Sequence, residues 1–513
     1  MNDIILGIDL GTINSCAALL KNNKVTIIPD LNGDRIIPSM ICYNKNNDEF
    51  LYGQTAKNNS LQYAESTMFE SKKIIGQIFK SKKVQKDISY LPIKIIEDTK
   101  TRKPKYIIEE KNGIKEYFPE EVSSMILKYI INYCQVYNNN KKIEKAIITV
   151  PTHFNQFQKQ ATINAGKLAG LKDVILLNEA TAAAIAYNNK FNSDNEIKIL
   201  VFDIGADNFN VSILSFKSNK YKVLSSSGIN YFNEDNFNQL LLNYIINEVK
   251  KNDFFKDINF NNPKILKRFR KEVEKIKIEL SQLQETLFLI ESLKNGEDFT
   301  MKISRIKYEE LCMKKWKEMF IIVDKALKIA KINKKELNYI ILVGGATRTP
   351  KIEEMIKNYF GNIEILKSIN VEEVVAYGAA LSGNQNLIVE DSISKSIGIE
   401  IANKEFSIII PMGTPLPTLG KNYKYMRNYN HFNNSRKIKI RIFEGNSKNI
   451  IENDYLGGFI LNLDENDKFI TIKMKIDHNS ILYVAAIVNG IKKRIMIIDM
   501  KPINQLDLIN LEF

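Results

Sequence analysis

Three histidines and four cysteines are spread over 513 residues. His153, His431 and His478 lie far apart in the chain, and no spacing among them reads as a metal site. Cys16, Cys42, Cys134 and Cys312 form no CxxC pair, so the expectation is free thiols in a reducing, cytoplasmic setting. Long apolar runs are also missing. Nothing approaches the roughly 18 consecutive apolar residues that a membrane-spanning helix needs, so no membrane partner is expected. Asp3 and Asp9 interrupt what would be the apolar core of a signal peptide, and none is expected. Acidic residues are the scarcer sign: 73 Lys and Arg face 59 Asp and Glu, a net charge of +14. A nucleic-acid surface is one reading of that excess. However, Lys, Asn and Ile are abundant along the whole length, as an AT-rich genome produces. The basic residues are not gathered into a stripe interleaved with aromatics. Runs such as Lys72-Lys73 and Lys334-Lys335 read as solvated faces, and no nucleic-acid partner is expected.

What is present is ordinary globular material, 44% hydrophobic and 26% charged. The length is too great for one core and suits three or four domain-sized units. Up to about Asn195, apolar strands alternate with helical stretches: Asp3–Asp9, the hairpin-like Ala17–Ile28, a helix-period segment Glu120–Tyr137, and a strand Lys145–Val150. Asn195–Gly383 repeats the plan, with strands at Lys198–Phe216, helices at Phe237–Lys251 and Pro263–Glu285, and a strand Tyr339–Val343. This mixture indicates an α/β fold. From about Ile399 short alternating runs (Ser407–Pro411, Lys437–Phe443, Phe459–Leu463, Phe469–Ile476, Ile481–Ile487, Lys493–Asp499) indicate an antiparallel β domain. The expected division is 1–383, a linker at 384–396, a β domain at 397–500 and a tail at 501–513.

Two segments echo each other at a domain's separation. Ile5-Leu6-Gly7-Ile8-Asp9-Leu10-Gly11-Thr12-Ile13-Asn14 matches Leu200-Val201-Phe202-Asp203-Ile204-Gly205-Ala206-Asp207-Asn208. Each is an apolar strand running into Asp-x-Gly, which suggests a duplicated fold with two lobes facing each other across a nucleotide. Phosphates need backbone N–H groups at tight turns, and Gly11 and Thr12 fit that need. They also need Mg²⁺ held through carboxylates and water, which Asp9 and Asp203 fit, one from each lobe. A third small-residue turn, Gly344-Gly345-Ala346-Thr347-Arg348, would let backbone approach a ribose or phosphate. Glu274, Lys277 and Ser281 share one helix face, opposite Phe269, Val273, Ile276 and Leu280. That face suits an adenosine or is simply solvated.

Together these segments resemble the DnaK-type heat-shock chaperones, whose ATPase domain has the actin/hexokinase-like fold. Gly7–Ser15 is similar to the family's first phosphate loop, with Ile13 where threonine is usual. Ile148-Thr149-Val150-Pro151-Thr152-His153-Phe154 is similar to its proline-switch strand. Leu177-Asn178-Glu179-Ala180-Thr181-Ala182 resembles its connecting helix, with Ala180 in place of proline. Val273–Ser281, Ile341–Ile352 and Glu373–Ala380 match the adenosine motif and the second connecting helix. The likeness runs from Ile4 to about Asp499. It implies ATP and Mg as cofactors, with Asp9 and Asp203 holding hydrated Mg²⁺, Thr12 and Asn14 on phosphates, Lys72 positioning the attacking water and Glu179 near it. It also implies a relay through Pro151 and Lys159, the latter an arginine in most of the family. Gly205, Gly344, Gly345 and Arg348 complete the expected nucleotide contacts.

The second phosphate loop departs from Asp-x-Gly-Gly-Gly-Thr-x-Asp, reading Asp203-Ile204-Gly205-Ala206-Asp207-Asn208-Phe209-Asn210. A further glycine pair is replaced by Asn233 and Glu234. Carboxylates near an anion cost on the order of several kcal/mol unless neutralised, so weakened nucleotide binding and slow hydrolysis are expected. The linker Leu387-Ile388-Val389-Glu390-Asp391 carries Glu390 inside the family's apolar run, and weaker docking is expected.

Residues Ile399–Asp499 resemble the family's peptide-binding β-sandwich, through Ile410-Pro411-Met412-Gly413-Thr414-Pro415, Ile442-Phe443-Glu444-Gly445, Leu456-Gly457-Gly458-Phe459 and Ile476–Val484. Extended polypeptide clients suit such a domain. Ile399, Ile401, Ile438 and Ile440 are candidates for its pocket or for its core, and alternation does not separate the two. The family continues into a helical lid; the sequence ends at Phe513, so faster peptide release is expected. Ser89-Tyr90-Leu91-Pro92 and Ile409-Ile410-Pro411 are similar to the HscA branch, which implies a J-domain co-chaperone and an iron–sulfur scaffold protein as client. The alternatives are a general folding chaperone, or a passive client-binding module without ATP turnover. A sugar or acetate kinase on the same fold has no place for the β domain.

Overall fold

The structure is a computed structural model, and it describes residues 4–89, 91–191, 195–205, 208–230, 237–384, 387–390, 392–401, 404–418, 421–426, 437–462, 469–477, 481–488 and 491–497. Its first two lobes are built on the same sheet. In the first lobe, Ile5–Asp9 pairs antiparallel with Asn14–Lys21 and parallel with Lys145–Val150, which pairs parallel with Asp173–Asn178. In the second, Ile197–Ile204 pairs antiparallel with Asn208–Lys217 and parallel with Tyr339–Val343, which pairs parallel with Glu364–Leu366. The outermost parallel pair of each lobe is joined through a helix, Gln156–Leu168 in one and Pro350–Phe360 in the other. The two-lobed actin/hexokinase-like α/β fold follows from this repetition.

Local chemistry explains several elements. The hairpin Asn14–Lys21/Lys24–Ile27 turns on Asn22 and Asn23, with φ of 52° and 59°, the left-handed pair a two-residue hairpin requires and asparagine tolerates. Helix Gln156–Leu168 opens on a capping box in which Asn155 accepts from the Gln158 N–H and Gln158 accepts from the Asn155 N–H. The helix expected over Pro263–Glu285 ends earlier, at Glu279. The Ser281 hydroxyl bonds back to the Ile278 carbonyl, and the β-prone run after Gln284 forms a hairpin, Glu285–Lys294 with Glu297–Ser304. A long helix, Arg305–Ala330, follows and buries Trp316.

The lobes meet through two alanine-rich helices, Glu179–Ala186 and Val374–Leu381. A Cβ on Gly378 would lie 1.7 Å from the Ala182 carbonyl oxygen, so only glycine allows this approach. Beyond them, Ile397–Ile401, Glu405–Ile410, Lys437–Glu444 and Asp454–Asn462 form one four-stranded antiparallel sheet. Lys421–Met426, Phe469–Ile476, Leu482–Val488 and Ile491–Ile497 form another. The two share one apolar core, a β-sandwich.

Between lobes and sandwich, Ile388–Glu390 adds in parallel to Lys220–Asn230 as the sixth strand of the second-lobe sheet. Leu387 and Val389 pack on the inter-lobe core, and Glu390 meets Lys220 at 2.5 Å. The charge inside the linker thus has a counter-charge waiting on the strand beside it. All four cysteines are free and buried. No helix among the described residues is long and apolar enough to cross a membrane.

Candidate functional site

Both Asp-x-Gly turns open onto one cleft of about 530 Å³ between the lobes. Asp9 stands at the end of its strand, where the Thr149 hydroxyl of the neighbouring strand donates to its Oδ1 at 3.1 Å. Asp203 holds the equivalent place in the second lobe. Gly11 makes the following turn so tight that a Cβ would lie 1.8 Å from the Asn14 carbonyl oxygen. The Ser39 hydroxyl donates to the Gly11 carbonyl at 2.8 Å, which fixes that loop from behind. The Gly205 N–H donates to the Asn208 carbonyl, closing the second turn. Ala206, Asp207, Asn233 and Glu234, the positions of the substituted loops, lie outside the described residues.

Lys72 and Glu179 meet on the cleft floor. The Lys72 ammonium lies 2.6 Å from Glu179 Oε1, and Lys72 is 7% exposed. Glu179 is the first residue of its helix, where the dipole favours a carboxylate. Three carboxylates, Asp9, Glu179 and Asp203, therefore share one ammonium. The aspartates reach solvent through the open cleft, yet lie deep enough that desolvation dominates. Burial pushes the Asp9 carboxyl up, Lys72 opposes, and Glu179 pushes further. Asp203 is raised by burial first, then by Glu179 and Asp9. Such a group of anions lacks positive charge and suits a divalent cation. Among the described residues no three His, Cys, Asp or Glu side chains form a direct metal-binding group.

The rim comes mainly from the second lobe. Glu274, Lys277 and Ser281 of helix Pro263–Glu279 and the residues just after it face the cleft. Gly344, Gly345 and Arg348 line the same cleft. Gly344 takes φ 85°, and its Cβ would meet the Ile204 carbonyl at 2.2 Å, so this turn needs glycine. Arg348 is held by Asn370 at 2.6 Å and Glu372 at 3.3 Å. Thr12, Asn14 and Pro151 also line the cleft. From the first lobe, Lys57 of helix Gly53–Asn59 crosses to Glu274 at 2.9 Å.

Lys159 does not line the cleft. It is 5% exposed on helix Gln156–Leu168, on the side facing the sandwich, where its charge acts on Glu444. Ile399 and Ile440 are buried in the sandwich core and Ile401 packs at its edge. Ile438 is paired with Leu461, and its side chain lies outside the described residues. Sequence motifs single out neither Ser39 nor Ile278. Ile278 is 58% exposed on the cleft wall, four positions from Glu274 on the same helix face, and that spacing was its available signal.

The Hsp70 protein family profile matches residues 5–508. The chain belongs to the Hsp70 family. It is 36% identical over 497 residues to heat shock cognate 70 kDa protein 3 of Dictyostelium discoideum, covering 94% of this chain and 78% of that relative. It is 34% identical over 504 residues to heat shock 70 kDa protein 2 of Paracoccidioides lutzii, covering 95% and 75%. The same identity and coverage hold for the heat shock 70 kDa protein of Trichophyton rubrum. The chain is thus an Hsp70-family chaperone with two lobes and a sandwich.

Proposed function

We propose that this Hsp70 works as an ATP-dependent chaperone, binding Mg·ATP between the lobes and an extended polypeptide on the sandwich, with a J-domain co-chaperone as partner. In that division residues 1–383 bind nucleotide, 384–396 couple, and 397–500 hold the client. The observation that carries the reading is the cleft floor, where Asp9, Asp203 and Glu179 surround Lys72. Mg²⁺, when bound, screens phosphate charge. Asp9 and Asp203, one from each lobe, would hold it through water. Gly11, Thr12, Asn14 and Gly205 offer turns to phosphates, while Glu274, Lys277, Ser281, Gly344, Gly345 and Arg348 receive the nucleoside. Lys72 and Glu179 orient the attacking water. Phosphoryl transfer depends mostly on positioning and charge stabilisation, so their pairing bears on rate more than on affinity.

Calorimetry with Mg·ATP, joined to single-turnover hydrolysis with and without a J-domain protein, tests this. Binding with stimulated turnover is expected. Binding of client without ATP binding or turnover would instead favour a passive holding module, the reading supported by Ala206, Asp207, Asn233 and Glu234. Within the family, the two short segments similar to the HscA branch support an iron–sulfur scaffold protein as client. The relatives above, named as heat shock proteins, support general folding clients. Competition between a scaffold-protein peptide and an unfolded model protein separates these.

A further inference from the structure

The sandwich sits on the first lobe through a small contact. Phe157 of helix Gln156–Leu168 is part of the sandwich core, and Ile481 packs on the first-lobe core. Gln156 binds at both ends: its backbone N–H donates to Glu444 Oε2 at 3.1 Å, and its side-chain Oε1 accepts from the Leu482 N–H at 3.2 Å. Both Gln156 and Glu444 are 3% exposed. A carboxylate from one domain is therefore sealed inside a contact that must open if the domains part.

We propose that Glu444 makes docking of the sandwich proton-dependent: the domains hold together more firmly when this carboxyl carries a proton than when it is charged. The contact rests on domain packing and not on nucleotide turnover. A protonated carboxyl still accepts the Gln156 N–H, whereas burying the charged form costs desolvation that must be returned by counter-charges. Of those around Glu444, Lys395 is shared with a second carboxylate. Lys395 is bonded at 2.7 Å to Asp454, which lies opposite Glu444 in the sheet register. Lys159 acts on Glu444 from the helix side. Lys83 and Asp87 lie further out, beside Lys395 and Asp454, with His153 near both lysines. The helix N-terminus favours the anion. Burial still outweighs these, raising Glu444 above the ordinary carboxylate value of 4.5, with Lys395, Lys159 and the Gln156 N–H opposing and Asp454 adding to the rise.

Separation exposes Glu444 and returns it toward 4.5. The docked form then binds the proton more tightly. Docking gains as pH falls through the raised docked value and levels off below the ordinary one; above the docked value the gain is absent.

Hydrogen exchange of the full, nucleotide-free chain between pH 5 and 8, corrected for intrinsic exchange, reads protection at the Gln156 and Leu482 amides. Wild-type protection should rise as pH falls, by up to about tenfold per pH unit between the two values. Glu444→Gln, which keeps the acceptor and removes the charge, should be more protected at pH 8 and lack the slope. Asp454→Asn frees Lys395 to turn to Glu444 and should shrink the slope. Equal slopes in wild type and E444Q, or weaker protection in E444Q at pH 8, would overturn the proposal. Should E444Q fail to fold, an unchanged slope in D454N does so.

Discussion

Lys72 acts on both Asp9 and Asp203 and pairs with Glu179 at 2.6 Å. Replacing it with alanine should slow single-turnover ATP hydrolysis by about 10²–10³-fold, the range seen when one preorganised electrostatic group is removed. ATP affinity by calorimetry should change far less, because the glycine turns and the rim are untouched. Lys57 and Glu274 act differently. Their ion pair spans the mouth of the cleft, with both side chains about one-third exposed. Lys57→Ala should therefore speed nucleotide release only several-fold, since a pair this accessible contributes about 0.2–1 kcal/mol. Stopped-flow displacement of a fluorescent nucleotide measures it, and an unchanged rate would mean the lobes are held by their cores alone. Lys72 and Glu274 were singled out in the sequence because each sits in a motif whose chemistry is local, whereas Lys57 was found only through its contact with Glu274. Nor were Ser39 and Ile278 singled out: Ser39 matters through a bond to a loop distant in sequence, and Ile278 looked like one more apolar residue in a helix.

Strand Ile388–Glu390 docks by backbone pairing plus one ion pair to Lys220. Lys220→Glu should loosen it through like-charge repulsion, and the double exchange K220E/E390K should restore it. Limited proteolysis at the linker reads both, and a double variant no better than the single one would show that the charges do not meet in solution. The inter-lobe helices are stiffer. Gly378→Ala places a methyl against the Ala182 carbonyl, so the helices must part, at about 1–3 kcal/mol. Thermal unfolding should show a lowered Tm for the lobes. Elements with a clear period were read from the sequence at nearly their true bounds, as with Lys145–Val150, Phe237–Lys251 and Phe469–Ile476. The hairpin Glu285–Ser304 and the helix Arg305–Ala330 were not. Apolar residues sit on both sides of that hairpin, Leu287 exposed and Phe288 buried, so no clean alternation of apolar and polar residues marks it in the sequence.

At the scale of the whole molecule, duplication was the most legible feature, since two Asp-x-Gly turns a domain apart predict two sheets facing one cleft. Contact between sandwich and first lobe was not legible, because Gln156 and Glu444 belong to segments with no shared pattern. Saturating Mg·ATP should raise the Tm of the lobes, by about 2.7 kcal/mol of stabilisation at 100 times Kd. Scanning calorimetry with and without nucleotide checks this, and no shift would mean that the cleft does not bind it. One last consequence follows from the linker's place as the outermost strand of the second-lobe sheet. When it lifts away, the backbone donors and acceptors of Lys220–Lys222 face water, and the sheet acquires an open margin able to recruit any passing extended chain. Two lysines on that margin discourage basic and self-similar strands, while leaving acidic segments as the favoured intruders.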